Sequence, residues 1–175
     1  MSSAVDRFAA AFDEHAPGLW RYLARQAGPA VAEDLVAETF LTAWRQRGDY
    51  RAELGSLRAW LYGIATNLMR RHHRTEAQQQ RMADRLAGRR DDDAGDGHDR
   101  ADDRLDARIH LRELAAAIAA LGDGDREVLL LSSLAELDHR EISVALGIPE
   151  GTVRSRLHRV RRTLRAALPA TRGES

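Results

Sequence analysis

The chain has 175 residues and a mass of 19.5 kDa, room for one domain or two small ones. Its 27 basic residues, all arginine, balance 27 acidic ones, so no global field holds it on nucleic acid or on a membrane surface. The absence of cysteine excludes a disulfide scaffold, a thiol nucleophile and a Cys-based zinc site. The N-terminus lacks a basic segment followed by an apolar one, and no stretch approaches ~20 apolar residues. A soluble, cytoplasmic protein without membrane insertion is therefore expected. With 43% apolar residues but only 5% aromatics and four prolines, the composition favours helices.

The predicted elements are all helical. Val5, Phe8, Phe12, Leu19 and Leu23 lie at helical spacing, and Pro17 is expected to kink or restart that helix. Gly28-Pro29 opens a second helix that runs to about Arg47, with Gly48 as its stop. Its core stripe reads Val36, Phe40, Ala43 and Trp44. The opposite side holds Asp34, Leu35, Glu38, Thr39, Thr42 and Arg45, an acidic and polar row with a leucine at its centre. Such a face suits docking on a basic partner helix, although a lone exposed leucine needs no explanation. Ser56 caps a third helix, with a stripe of Leu57, Trp60, Leu61, Ile64, Ala65, Leu68 and Met69. Opposite that stripe lie Tyr62, Thr66, Arg70 and His73, flanked by Asn67, Arg71 and Arg74. An aromatic, small polar groups and arginines on one face suit partly melted DNA, as does a base pocket built by the loop from Gly48 to Gly55, which carries Tyr50 and Arg51. A solvated helix face is the plainer alternative.

Residues 86–110 contain eight aspartates, three glycines and almost nothing apolar, the composition of a flexible acidic linker. The expected organisation is thus a helical domain over 1–85, a linker over 86–104 and a second helical domain over 105–175. In the latter, Leu111, Leu114, Ile118 and Leu121 form a stripe ending at Gly122, and a short helix follows around Val128–Leu134. Asp138 and Glu141 have the spacing of a capping box opening a helix through Leu146. After Gly147 and the Ile148-Pro149 turn, a longer helix runs from about Glu150 to Leu168. A short helix, a glycine-containing turn and a basic helix make a helix-turn-helix pattern.

Between Val153 and Leu168 stand six arginines and no acid. Val153, Leu157, Val160, Leu164 and Leu168 supply a buried stripe. Ser155, His158, Arg159 and Arg162 lie on the opposite face, with Arg154 and Arg161 on one flank and Arg156 on the other. Short polar groups and arginine near the start of such a helix reach base edges in the major groove, and later arginines neutralise phosphates. Gly151 and Thr152 at its entry permit close backbone approach to a phosphate. The Asp91-Asp92-Asp93 run lacks the punctuated spacing of a cation loop. His72 and His73 face different ways on one helix. No phosphate loop, nucleophile elbow or convergent carboxylate pair occurs, so neither catalysis nor a cofactor or small-molecule substrate is expected.

The segment Glu33–Arg45 resembles the part of bacterial RNA polymerase sigma factors that docks on the polymerase clamp helices. Residues Leu57–Asn67 are similar to the following helix, which helps melt and read the −10 element. Arg126–Leu131 and Glu141–Leu157 resemble the −35-reading domain, and the two-domain layout looks like the extracytoplasmic-function group. The resemblance covers roughly residues 5–75 and 105–168. It departs from the family's pattern at Leu137–Arg140, where an aromatic is usual, and at Gly122–Asp125, where a proline is common. It implies a transcription initiation factor that binds core polymerase, at the clamp helices and flap, through Asp34, Leu35, Glu38, Thr39, Thr42 and Arg45. The −35 duplex would meet Thr152, Arg154, Ser155, Arg156, His158, Arg159 and Arg162. Tyr50, Arg51, Tyr62, Thr66, Asn67, Arg70, Arg71 and His73 would face the −10 DNA, and an anti-sigma factor is an implied further partner. Two rivals stand beside this reading: a conventional helix-turn-helix regulator that binds duplex DNA without polymerase, and a metal-dependent helical hydrolase using the aspartate-rich segment.

Overall fold

A computed structural model describes residues 4–87 and 102–167, arranged as seven helices with no strand among the described residues. The first three are α1 (Ala4–Ala27), α2 (Pro29–Arg45) and α3 (Leu57–Ala87). Pro17 neither ends nor restarts α1. Its ring removes one backbone hydrogen bond, while apolar contacts hold the helix on both sides of it. Phe8 meets the Phe40 ring edge-on at 5.8 Å and Trp44 at 4.9 Å, and Phe12 meets Phe40 at 4.7 Å. Beyond the proline, Leu19, Tyr22 and Leu23 are completely buried. The turn into α2 is made by Gly28 at φ +83°, followed by Pro29 in the first helical turn. Ser56 caps α3 as expected, its Oγ accepting from the Ala59 amide at 3.1 Å.

The remaining helices are α4 (Asp102–Ala119), α5 (Asp123–Ser133), α6 (His139–Leu146) and α7 (Glu150–Ala167). Helix α4 begins inside the segment expected as linker, and α3 extends to Ala87. Most of that linker, and Leu168, lie outside the described residues. Leu111, expected in the buried stripe of α4, is 65% exposed, whereas Leu114 and Ile118 are half-buried on a helix that packs against α7. The end of α4 is closed from α5: Arg126 donates to the carbonyls of Ile118, Ala119 and Leu121, at and just beyond the last turn, where helix carbonyls run out of amide partners. At α6 the capping box is complete. Asp138 Oδ1 accepts from the Glu141 amide at 2.8 Å, and Glu141 Oε2 accepts from the Asp138 amide at 3.2 Å.

The two halves share one core. A continuous cluster of buried residues runs from Leu19 through Leu61 and Ala65 to Val128, Ile142 and Leu157. Helix α3 packs on α1 and α2 on one side and on α6 on the other. This contact requires glycine at two places. A Cβ on Gly63 would come within 2.6 Å of the Ala145 carbonyl oxygen, and one on Gly55 within 2.7 Å of the Val144 methyls.

Candidate nucleic-acid interface

Helix α7 follows the predicted stripe over its first three positions, while Leu164 is half-buried. Val153, Leu157 and Val160 are buried, while Arg154, Ser155, His158, Arg159, Arg161 and Arg162 are exposed. Its position is set by the turn before it. Gly147 adopts φ +64°, the Ile148 amide donates to the Ser143 carbonyl at 3.1 Å, and Ser143 Oγ donates to Ile148 O at 2.6 Å. Thr152 is half-buried at the helix start, and Ser155 Oγ turns back to the Thr152 carbonyl. Two arginines are engaged from α5: Arg156 donates to Gly124 O, and Arg159 makes a two-point pair with Asp125 at 2.6 and 2.7 Å. The guanidinium beside it holds the Asp125 carboxyl below its ordinary range, through hydrogen bonding first and charge second.

The face of α2 differs from expectation by a rotation. Leu35 is only 6% exposed and Thr39 is fully buried, its hydroxyl donating to the Leu35 carbonyl at 2.6 Å. The buried arc comprises Ala32, Leu35, Val36, Thr39, Phe40 and Ala43. It is wide because α1 and α3 both pack on this helix, whereas a single stripe assumes one neighbour. At 100° per residue the opposite side centres on Asp34 and Leu41, with Glu38 and Arg45 beside them and half-buried Thr42 at its edge. The acidic row therefore has its leucine after all, but that residue is Leu41, 47% exposed, and not Leu35. Next to this face Phe12 and Trp20 line an open apolar groove of about 460 Å³ between α1 and α2, bordered by Asp13 and Glu33.

The expected DNA face of α3 is covered at its first two positions and open beyond them. Tyr62 and Thr66 are each 3% exposed. Tyr62 lies edge-on to Tyr22 at 5.3 Å, with Arg58 over its ring at 5.6 Å, and burial pushes both tyrosine hydroxyls up in pKa. Thr66 Oγ1 donates to Tyr62 O at 2.8 Å and meets the Tyr22 hydroxyl at 3.2 Å. The reason is that α3 is central, with helices on both sides, so its far side became interior too. Arg70, exposed, forms a two-point ion pair with Glu127 of α5 and donates to Asn67 Oδ1. Arg58 pairs with Glu141 at 3.3 Å and also donates to the Ala135 carbonyl. Asn67, Arg71 and His73 remain exposed. In the loop before α3, Arg51 is exposed and donates to Gly48 O, whereas Tyr50 packs on Trp60 at 5.3 Å and donates to Gly55 O. A crevice of about 90 Å³ lies beneath that loop, lined by Tyr50, Leu57 and Trp60.

Three sites escaped sequence reasoning. Leu41 was readable from the helical wheel once two neighbours are allowed for. The partnerships of Asp125 with Arg159 and of Glu141 with Arg58 join residues 34 and 83 apart and have no local signal.

Comparison with known proteins shows the family. Sigma-70 region 2 matches residues 11–79 and Sigma-70 region 4 matches residues 111–164. The ECF RNA polymerase sigma factor SigL of Mycobacterium tuberculosis is 35% identical over 91% of this chain and 87% of its own length. The chain belongs to the ECF sigma factors. It binds core RNA polymerase and promoter DNA and directs promoter-specific transcription, which removes the free-standing regulator as a reading. The fold agrees with two solved sigma factors. One is CnrH, a protein of Cupriavidus metallidurans, in complex with the cytosolic domain of CnrY. It has a TM-score of 0.61 and 25% identity over 91% of this chain and 85% of that one. The other is RpoE of Bartonella quintana with the anti-sigma factor NepR, with a TM-score of 0.64 and 22% identity over 95% and 99% of the two chains. Among the described residues of this sigma factor, no helix is long and apolar enough to cross a membrane, and no cluster of His, Asp or Glu is arranged to hold a metal ion.

Proposed function

We propose that this sigma factor divides its work between a unit over residues 1–85 and a unit over 105–175, joined through 86–104. The first docks on the polymerase clamp helices through Asp34, Glu38, Leu41 and Arg45, with Thr42 at the rim. Leu35 and Thr39 support that face from beneath. The second unit reads the −35 duplex with Arg154, Ser155, His158 and Arg159. Thr152, Arg156 and Arg162 serve its entry and flank, and the flap is its polymerase contact. The −10 strand meets Asn67, Arg70, Arg71, His73 and Arg51, with Tyr50, Tyr62 and Thr66 reachable only after rearrangement. The observation that carries this reading is α7, which buries Val153, Leu157 and Val160 while an arginine-rich face with short polar residues near its start stands in solvent.

Part of the −10 face is occupied by α5 and α6, so promoter opening requires the two halves to separate. That step breaks the Arg58–Glu141 and Arg70–Glu127 pairs and parts Gly63 from Ala145. CnrH and RpoE were solved bound to partner proteins, and this chain is proposed to have an anti-sigma factor of its own. It acts in the cytoplasm as an initiation factor without catalytic chemistry. Two weak DNA-binding faces gain avidity once the polymerase holds both, which suits a chain with zero net charge. Run-off transcription with purified bacterial core polymerase on fragments of the source genome tests the proposal. Discrete transcripts appear only when both components are present; sharp duplex binding by the chain alone, with no transcripts, overturns it.

A further inference from the structure

Arg159 is held in a way that leaves a particular edge of its guanidinium available. Nε donates to Asp125 Oδ2 at 2.6 Å and Nη2 to Oδ1 at 2.7 Å. A guanidinium offers two forks, a side one through Nε and an end one between its two terminal nitrogens. Asp125 occupies the side fork. The end fork, Nη1 with the second N–H of Nη2, lies on the far side from the carboxylate, on a side chain that is 54% exposed. Two parallel N–H groups at that spacing match O6 and N7 of a guanine in the major groove. Asp125 is itself largely covered, with 13% of its side chain exposed. It sits in the first turn of α5, so the guanidinium is anchored to a helix other than its own.

We infer that Asp125 is a specificity-determining positioning residue: it fixes Arg159 so that its end fork reads a guanine in the −35 element. This rests on the proposed −35 role of α7. Physically, an unrestrained arginine surrenders rotamer freedom when it binds, and one already fixed has surrendered it on folding. An unrestrained arginine also settles readily on a phosphate, which carries no sequence information. A carboxylate beside the guanidinium disfavours that phosphate contact by like-charge repulsion while leaving the guanine-matching edge open.

The test uses holoenzyme reconstituted from core polymerase and full-length chain on a promoter library randomised through the −35 element. Arg159→Ala is expected to flatten the preference at one guanine position by about tenfold. Asp125→Asn, nearly isosteric, is expected to flatten that same position by about three- to tenfold and leave the other positions unchanged. The double variant is no flatter than Arg159→Ala alone. If Asp125→Asn keeps the wild-type profile, or lowers all positions evenly, the positioning role is overturned. If Arg159→Ala leaves every −35 position intact, the base-reading role of Arg159 falls as well, which separates the two failures. Thermal unfolding of each variant accompanies the profiles. Should Asp125→Asn not fold, Asp125→Glu, which keeps the charge on a longer arm, must flatten the same position for the role to stand.

Discussion

Single residues divide between holding the fold and meeting a partner, and two leucines six positions apart on α2 show how. Leu35 sits in the core, so an arginine there must either be buried unpaired or expel the helix. Leu35→Arg is expected to cost on the order of 5 kcal/mol, comparable with the stability of a small domain, and to yield unfolded protein by circular dichroism. Leu41→Arg places the same charge in solvent. It is expected to change stability by no more than about 0.5 kcal/mol while abolishing co-purification with core polymerase. A folded Leu41→Arg variant that still binds polymerase would remove Leu41 from the docking face. The Asp125–Arg159 pair gives a second residue-scale expectation. Because Arg159 depresses the folded carboxyl, the pair's contribution is complete above the ordinary carboxylate range and is lost as pH falls through the lowered value. The gap in thermal midpoint between wild type and Asp125→Asn should therefore be constant near neutral pH and close on acidification below about pH 4. A gap that persists there would trace to packing instead of charge.

At the scale of elements, α6 is the clearest case of one side chain serving two levels. Glu141 completes the capping box of its own helix and also faces Arg58 and Ser56 of the other half. The two roles separate by substitution. Asp138→Ala removes the cap acceptor and is expected to lower stability by about 1 kcal/mol, measured by urea unfolding. Glu141→Gln retains an amide oxygen that can close the box and removes the charge and one of the two acceptor oxygens facing Arg58 and Ser56. Its cost should be smaller, because the Arg58 pair is partly exposed and salt-screened. Equal losses from both variants would mean that the cap contributes nothing beyond the interhelical pair. Helix α3 makes a related point about neighbours. Its apolar stripe is where the spacing puts it, yet Tyr62 and Thr66 on the opposite face are buried as well, since a second layer covers them.

For the whole molecule, the central fact is that the two halves pack directly, along α3 and α6, across the surface proposed for promoter opening. The backbones come close where Gly55 faces Val144 and Gly63 faces Ala145. A cysteine pair at Gly55 and Val144 brings the two Cβ atoms about 3.1 Å apart before relaxation, near the span a disulfide needs. The chain has no cysteine of its own to compete. The oxidised Gly55→Cys/Val144→Cys protein is expected to lose run-off transcription by at least about tenfold and to regain it on reduction, as an obligatory separation of the halves requires. Full activity of the oxidised form would show that initiation proceeds with the halves closed.

Local rules determined much of this protein. The helical class, the capping box at Asp138 and Glu141, the Gly147 turn, the buried stripe of α7 and its exposed arginine face all depend on contacts within about four residues, and such contacts are written in spacing. What the sequence could not carry was how many neighbours each helix has. One neighbour leaves Leu35, Thr39, Tyr62 and Thr66 in solvent; two bury them and leave Leu41 as the exposed leucine of the acidic row. The same holds for Asp125 on Arg159 and Glu141 on Arg58, where partners come from distant segments and no periodicity links them. Only the tertiary structure decided these, because burial is a property of all the surfaces that meet at a side chain, whereas periodicity reports only the helix that carries it.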